Sequence, residues 1–306
     1  MTRLLALTAC LIVLVLATGC AAIPDERDEP FEMDFGRPIT YDGRHAVVFF
    51  IDSVNHRVFN RLLEKGELPN IKRYFAERGT VVDHAVTCVP SVTYSAMTTF
   101  LTGLGPGHNG VPALEWADRH EAVYRWYTTP QRKYTINDDY TAPNLYEMLD
   151  DQFTVTILNQ LTRGATRYIE NWYTVGPAYF FGMHHLVDRL SLIRFAEVNK
   201  LARLRKQYPR FTITHLPGTD SIGHETGPDH RTYRESLRHM DAQLGRLLRA
   251  MEQDGVLEEI TIVLISDHGV TDTSRRKVMR LVPWFNTHFS TPATGRIDTF
   301  ELGALD

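Results

Sequence analysis

The chain has 306 residues, a formal net charge of −4 at pH 7, 43% hydrophobic residues and only three cysteines. Its length and hydrophobicity allow one large domain with a substantial core. The slight acidity argues against nucleic-acid binding, which favours basic patches, and three cysteines exclude a disulfide-stapled scaffold.

Residues 1–19 read as an export signal. Arg3 gives a positive start and Leu4 to Leu16 an apolar run, shorter than the roughly 20 residues of a membrane-spanning helix. Ala17-Thr18-Gly19-Cys20 closes the run and resembles a bacterial lipobox, with Ala17 where leucine is usual. The expectation is cleavage before Cys20, lipid on its thiol, and an exported lipoprotein anchored to a membrane on the periplasmic or cell-surface side. An ordinary signal peptide that happens to end near a cysteine is the plainer alternative. With Cys10 in the signal and Cys20 lipidated, Cys88 has no partner for an internal disulfide. Residues 20–43 hold Asp25, Glu26, Asp28, Glu29, Glu32 and Asp34 with Pro24, Pro30 and Pro38, a solvated acidic tether.

The folded part is expected over residues 44–306. Val47 to Ile51 is a continuous apolar run, the pattern of a strand buried on both faces. Leu68-Pro69-Asn70 opens a helix that Gly79 ends, Thr80 to Val86 is strand-like, and Tyr94 to Leu101 is a short helix stopped by Gly103. Further strands are predicted at Phe153 to Leu158, Phe211 to Leu216 and Ile260 to Ile265. A long helix beginning at Pro228 buries Tyr233, Leu237, Met240, Leu244, Leu247, Leu248 and Met251. This alternation predicts a three-layer α/β fold: a mostly parallel central sheet with helices on both faces, and its site beyond the carboxyl ends of the strands. The aromatic-rich stretches 115–140 and 162–203 fit the alternation less well. They are read as insertions that cap the site or simply pack on the domain.

Three potential ligand groups follow strand-like runs. Asp52 follows the first, although an aspartate there is as readily a helix N-cap. Asp267-His268 follow Ile262 to Ile265, where adjacent polar groups at a sheet edge are costly unless something neutralises them. Asp220 and His224, spaced i, i+4, share one helical face; a capping Asp with a solvent-facing His is the plainer reading. Thr93 opens a helix, where free N–H groups and the dipole favour an anion; Ser91, Ser95, Thr98 and Thr99 are rival hydroxyls. Gly105-Pro106-Gly107-His108-Asn109-Gly110 follows a helix and is not a dinucleotide loop. Cys88-Val89-Pro90-Ser91 has Val92 where a sulfatase has arginine, and His184-His185 is read as structural.

The segment Pro90 to Gly103, with Thr93 nine residues before Thr102-Gly103, resembles the nucleophile segment of type I phosphodiesterases and nucleotide pyrophosphatases of the alkaline phosphatase superfamily. Asp52, Asp220-Ser221-Ile222-Gly223-His224 and Ser266-Asp267-His268-Gly269 match that family's other motifs in order. The resemblance implies hydrolysis of phosphate esters, diester or pyrophosphate in preference to monoester, through a phosphothreonine on Thr93. It implies two divalent ions, zinc by analogy: one on Asp52, Asp267, His268 and the Thr93 oxygen, the other on Asp220 and His224. The family's phosphate-binding asparagine is replaced by Leu114, so Asn109 is the expected substitute. The family also draws a histidine for the second ion from well downstream, whereas His288 is the only histidine after His268 and stands in a different setting. The expectation is a fold shortened at its C-terminus, with the second ion held weakly or absent. A surface lipoprotein keeping the scaffold without turnover is the alternative.

Overall fold

Val47, Val48, Phe49, Phe50 and Ile51 are each at most 2% exposed, so their strand lies inside a sheet with both faces covered. The computed structural model describes residues 44–128, 135–170, 172–181 and 183–273. Its strands are β1 (His45–Ile51), β2 (Glu115–Asp118), β3 (Val123–Trp126), β4 (Thr154–Ile157), β5 (Arg167–Ile169), β6 (Phe211–Leu216) and β7 (Ile260–Ser266). Five of them form one sheet in the order β5-β4-β6-β1-β7, parallel at each pairing, and β2 and β3 form a separate antiparallel hairpin.

Parallel neighbours need long crossovers. These supply the longer helices α1 (His56–Glu64), α2 (Thr93–Thr102), α3 (Trp172–Phe180), α4 (His184–Leu192), α5 (Phe195–Arg205), α6 (Gly218–Thr226) and α7 (Arg231–Gln253). The seven apolar residues predicted for the inner face of α7 are all fully buried. Another cluster joins Tyr94, Met97 and Leu101 of α2 to Val48 and Phe50 of β1 and Ile213 of β6. It fixes where α2 begins relative to the ends of the strands. Among the described residues no helix is long and apolar enough to cross a membrane.

Register aligns the site. Ile51 pairs with Leu216 on one side and Ser266 on the other, so Asp52, Pro217 and Asp267 leave the sheet side by side at its carboxyl edge.

Four elements differ from the sequence reading. Thr80 to Val86 forms no strand: Val81, Val82 and Val86 are exposed, and Asp83 bonds instead to Asn60 and pairs with His56 and His84. The helix opened by Pro69 continues as a π-turn over Lys72–Ala76. α7 begins at Arg231, after His230 accepts from the Thr232 N–H. The stretch 162–203 is not only insertion, because its Arg167–Ile169 is the edge strand β5; 115–140 contributes the hairpin. Residues 1–43 and His288 lie outside the described residues.

Candidate active site

Asp52 stands directly after β1, but it does not cap α1. Asn55 does so, accepting from the Val58 N–H at 2.9 Å. Asp52 is instead buried and its two oxygens face opposite ways. Oδ2 meets His215 Nε2 at 3.0 Å, and Oδ1 lies 3.4 Å from Thr93 Oγ1 and 3.4 Å from His268 Nε2. The next residue, Ser53, has φ of 61°, a left-handed conformation rare for serine. That turn aims the Ser53 N–H at Asp267 Oδ1, 3.0 Å away.

Asp267 is held in the same one-sided manner. Its Oδ1 accepts from Ser53 and from the His268 N–H at 2.7 Å. Its Oδ2 is buried and receives no hydrogen bond among the described residues, 3.5 Å from His268 Nε2. His268 donates from Nδ1 to the Gly269 carbonyl at 2.8 Å, which leaves Nε2 as the lone-pair side of the neutral ring. Thr93 is the first residue of α2, and Val92 before it has no capping side chain. Its Oγ1 lies 3.3 Å from His268 Nε2. The rival hydroxyls on α2 are placed elsewhere: Ser95 is fully buried, Thr98 donates to the Tyr94 carbonyl, and Thr99 faces the Asn109 amide.

Four lone-pair atoms thus converge, and Asp52, Asp267 and His268 form a group able to hold a metal ion. In a tetrahedral site with bonds of about 2.0–2.1 Å, neighbouring donors stand about 3.3–3.4 Å apart. The separations here are 3.3, 3.4, 3.4 and 3.5 Å. The orphaned Asp267 oxygen and these spacings fit a small divalent ion.

Electrostatics agree. Burial, then the charge of Asp220, pushes the Asp52 carboxyl upward, and burial with Asp52 beside it pushes Asp267 well above the usual range. Burial alone lowers His268, but Asp267 and Asp52 outweigh it and the net direction is up. Each of these groups calls for a proton or a cation.

Asp220 and His224 sit one turn apart on α6, as their spacing predicts, with Oδ1 and Nε2 3.3 Å apart. His224 is largely exposed. The other Asp220 oxygen accepts from Tyr179 of α3 at 2.9 Å. Burial raises Asp220, but hydrogen bonding to His224 and its charge prevail and the direction is down.

Asn109 is placed differently from expectation. It is fully buried, its amide donates to the Leu104 carbonyl at 2.8 Å, and its oxygen accepts from the Val111 N–H at 2.9 Å. Those bonds close the loop after α2 and commit both ends of the amide to the fold. Leu114 packs against the core. Sequence reasoning missed His215 and Tyr179. His215 lies inside an apolar strand run, where a polar residue with a long-range partner is the available signal; Tyr179 is one of many aromatics in its segment.

The sheet and the cluster at its carboxyl edge are those of the alkaline phosphatase-like α/β class. Within it, the chain belongs to the type I phosphodiesterase/nucleotide pyrophosphatase family, whose model matches residues 46–304. It is similar to an uncharacterized pyrophosphatase/phosphodiesterase of Schizosaccharomyces pombe, 23% identical over 79% of this chain and 48% of that protein. A bis(5'-adenosyl)-triphosphatase of Bos taurus is 21% identical over 72% of this chain and 47% of its own. Ectonucleotide pyrophosphatase/phosphodiesterase 2 of Saccharomyces cerevisiae is 22% identical over 92% and 60%. The chain therefore spans about half the length of these curated relatives.

Proposed function

We propose that this protein hydrolyses phosphodiester or pyrophosphate bonds in small substrates through a phosphothreonine on Thr93, with two divalent ions, zinc by preference. The observation that carries the reading is Thr93 Oγ1 at the start of α2, within 3.3–3.4 Å of His268 Nε2 and Asp52 Oδ1. Asp52, Asp267, His268 and Thr93 would hold one ion, and Asp220 with His224 the other. Bound ions supply Lewis-acid stabilisation of phosphoryl oxygens and a more acidic hydroxyl.

The chain's own residues do the rest. The Thr93 oxygen, 3.4 Å from Asp52 Oδ1, turns a lone pair outward to attack phosphorus, and its proton leaves with the expelled alcohol or phosphate. The first intrahelical hydrogen bond of α2 is made by the Ala96 N–H, so the N–H groups of Thr93, Tyr94 and Ser95 have no intrahelical carbonyl partner. They and the dipole favour the anionic phosphoryl group. Water then attacks the phosphothreonine phosphorus, and the threonine hydroxyl is restored as the phosphate product leaves. Positioning and charge neutralisation carry most of the rate.

The relative named a bis(5'-adenosyl)-triphosphatase favours including dinucleoside polyphosphates with chromogenic mono- and diesters in a substrate panel. Thr93→Ala is expected to lose about 10³-fold or more in kcat, roughly 4 kcal/mol of transition-state stabilisation, while still binding metal. Equal turnover by both proteins removes the nucleophile assignment.

A second reading keeps the scaffold without turnover. Its support is the Asp220–His224 pair, which brings only two side chains to the second ion among the described residues. Metal counting separates the two: two tightly held zinc ions per chain favour the enzyme, none the scaffold, and one a crippled site. We further propose export and anchoring through a lipidated Cys20. Cys20→Ser is expected to release the protein from membranes and abolish labelling by a radioactive fatty acid.

A further inference from the structure

A histidine in the middle of a buried strand is costly unless both ring nitrogens find partners. His215, fully within β6 and 5% exposed, has two. Nε2 faces Asp52 Oδ2 at 3.0 Å, and the ring also hydrogen-bonds the backbone of Leu158. Its plane is set by an edge contact with Phe50, centroids 6.2 Å apart at 66°.

Leu158 is itself unusual. It is buried, yet its φ is 52°, a left-handed conformation that residues other than glycine rarely adopt. It ends β4, where its N–H donates to the Ile169 carbonyl of β5. The strained turn thus brings the backbone of a neighbouring strand to the imidazole. Leu158 fixes His215, and His215 occupies one Asp52 oxygen, leaving only Oδ1 for the pocket with Thr93 and His268.

We infer that His215 is a positioning residue: its hydrogen bond to Oδ2 makes Asp52 a one-oxygen ligand aimed at the Thr93 site. The inference rests on the proposed metal-holding role of Asp52. A rotated Asp52 would present both oxygens to the cation or neither, and partners of this kind typically govern metal affinity by 10–100-fold. The same β6–α6 segment also carries Asp220 and His224, so its placement sets residues of both proposed ion sites.

The test is Zn²⁺ binding by the full chain, measured by chelator competition on wild type, His215→Leu and His215→Gln, alongside thermal unfolding of each without metal. Glutamine can place an amide group, able to donate or accept, where Nε2 stands; leucine fills space without hydrogen bonding. His215→Leu is expected to weaken the tighter Zn²⁺ by about 10–100-fold, and His215→Gln to recover most of that loss. If leucine prevents folding, the glutamine variant alone decides. Wild-type affinity in the leucine variant overturns the inference, as does a folded glutamine variant as weak as leucine. A glutamine variant that does not fold also overturns it, by assigning His215 to the fold. Failure of the wild type itself to bind Zn²⁺ sinks the metal reading instead, so the two failures are distinct.

Discussion

Asp267 places one carboxylate oxygen against two N–H donors and leaves the other buried and, among the described residues, without a donor. Without a cation that oxygen destabilises the fold, because Asp52 lies beside it and both resist ionisation. Asp267→Asn keeps the oxygen that accepts from Ser53 and His268, and removes one of two like charges held side by side. It is expected to stabilise the metal-free protein at pH 8 by about 0.5–2 kcal/mol, read by chemical denaturation. The same change is expected to lower Zn²⁺ affinity and turnover strongly. A variant that is both less stable and still active contradicts the placement. This group was legible in the sequence because carboxylate, imidazole and hydroxyl each follow an apolar strand run or open a helix. His215 was not, since sequence gives its burial but not that β1 and β6 are neighbours in register, which brings Asp52 to it. Asn109 was misread for a related reason: an amide in a loop looks available until the backbone groups it closes are known.

At the scale of elements, the site is a meeting of α2, α6 and the ends of β1 and β7, with α3 reaching in through one hydroxyl. Burial and the Asp220 charge keep the Tyr179 phenol protonated, so it acts only as a donor to Asp220. Tyr179→Phe is expected to weaken the second, looser Zn²⁺ by about 10-fold while leaving the tighter one unchanged. Titration calorimetry resolves the two steps, and an equal effect on both would mean that α3 acts on the whole site. The long apolar strands and α7 were readable because burial repeats over many residues. Arg167–Ile169 is too short to show a period, and becomes a strand only by pairing with β4. Thr80 to Val86 had the opposite fault: its β-branched residues favour strands, but that preference is realised only against a partner strand and a covering layer. Here the valines stay in solvent and the polar residues bond locally.

For the whole molecule, the buried charges predict how stability moves with pH when no metal is bound. Asp52 and Asp267 titrate higher in the fold than in the unfolded chain, and so do His268 and Asp188. Asp188 is pushed from 3.8 to about 7 by burial, partly offset by the Gly218 N–H that donates to it at 2.9 Å. A group raised in the fold lends stability that is complete below its unfolded pKa and disappears as pH climbs through the folded one. All four therefore act with one sign. In the metal-free protein these four are expected to withdraw stability from about pH 4 upward for the carboxyls, and from about pH 6.5 upward for His268, against the opposite contribution of Asp220 and His215, which titrate lower in the fold. Asp188 alone bounds its share at ~4 kcal/mol. A cation at Asp52, Asp267 and His268 competes with the protons that this group shares, whereas Asp188 lies outside it. Zn²⁺ should therefore raise the unfolding temperature more at pH 8 than at pH 5, because protons compete for the same atoms at the lower pH. Asp188→Asn, which keeps the acceptor for Gly218, should flatten the metal-free profile between pH 5 and 8 without altering the Zn²⁺ increment. Unfolding scans at both pH values, with Zn²⁺ and with chelator, read both effects. An increment as large at pH 5 as at pH 8 would place the ion on groups other than these raised carboxylates and the imidazole beside Thr93.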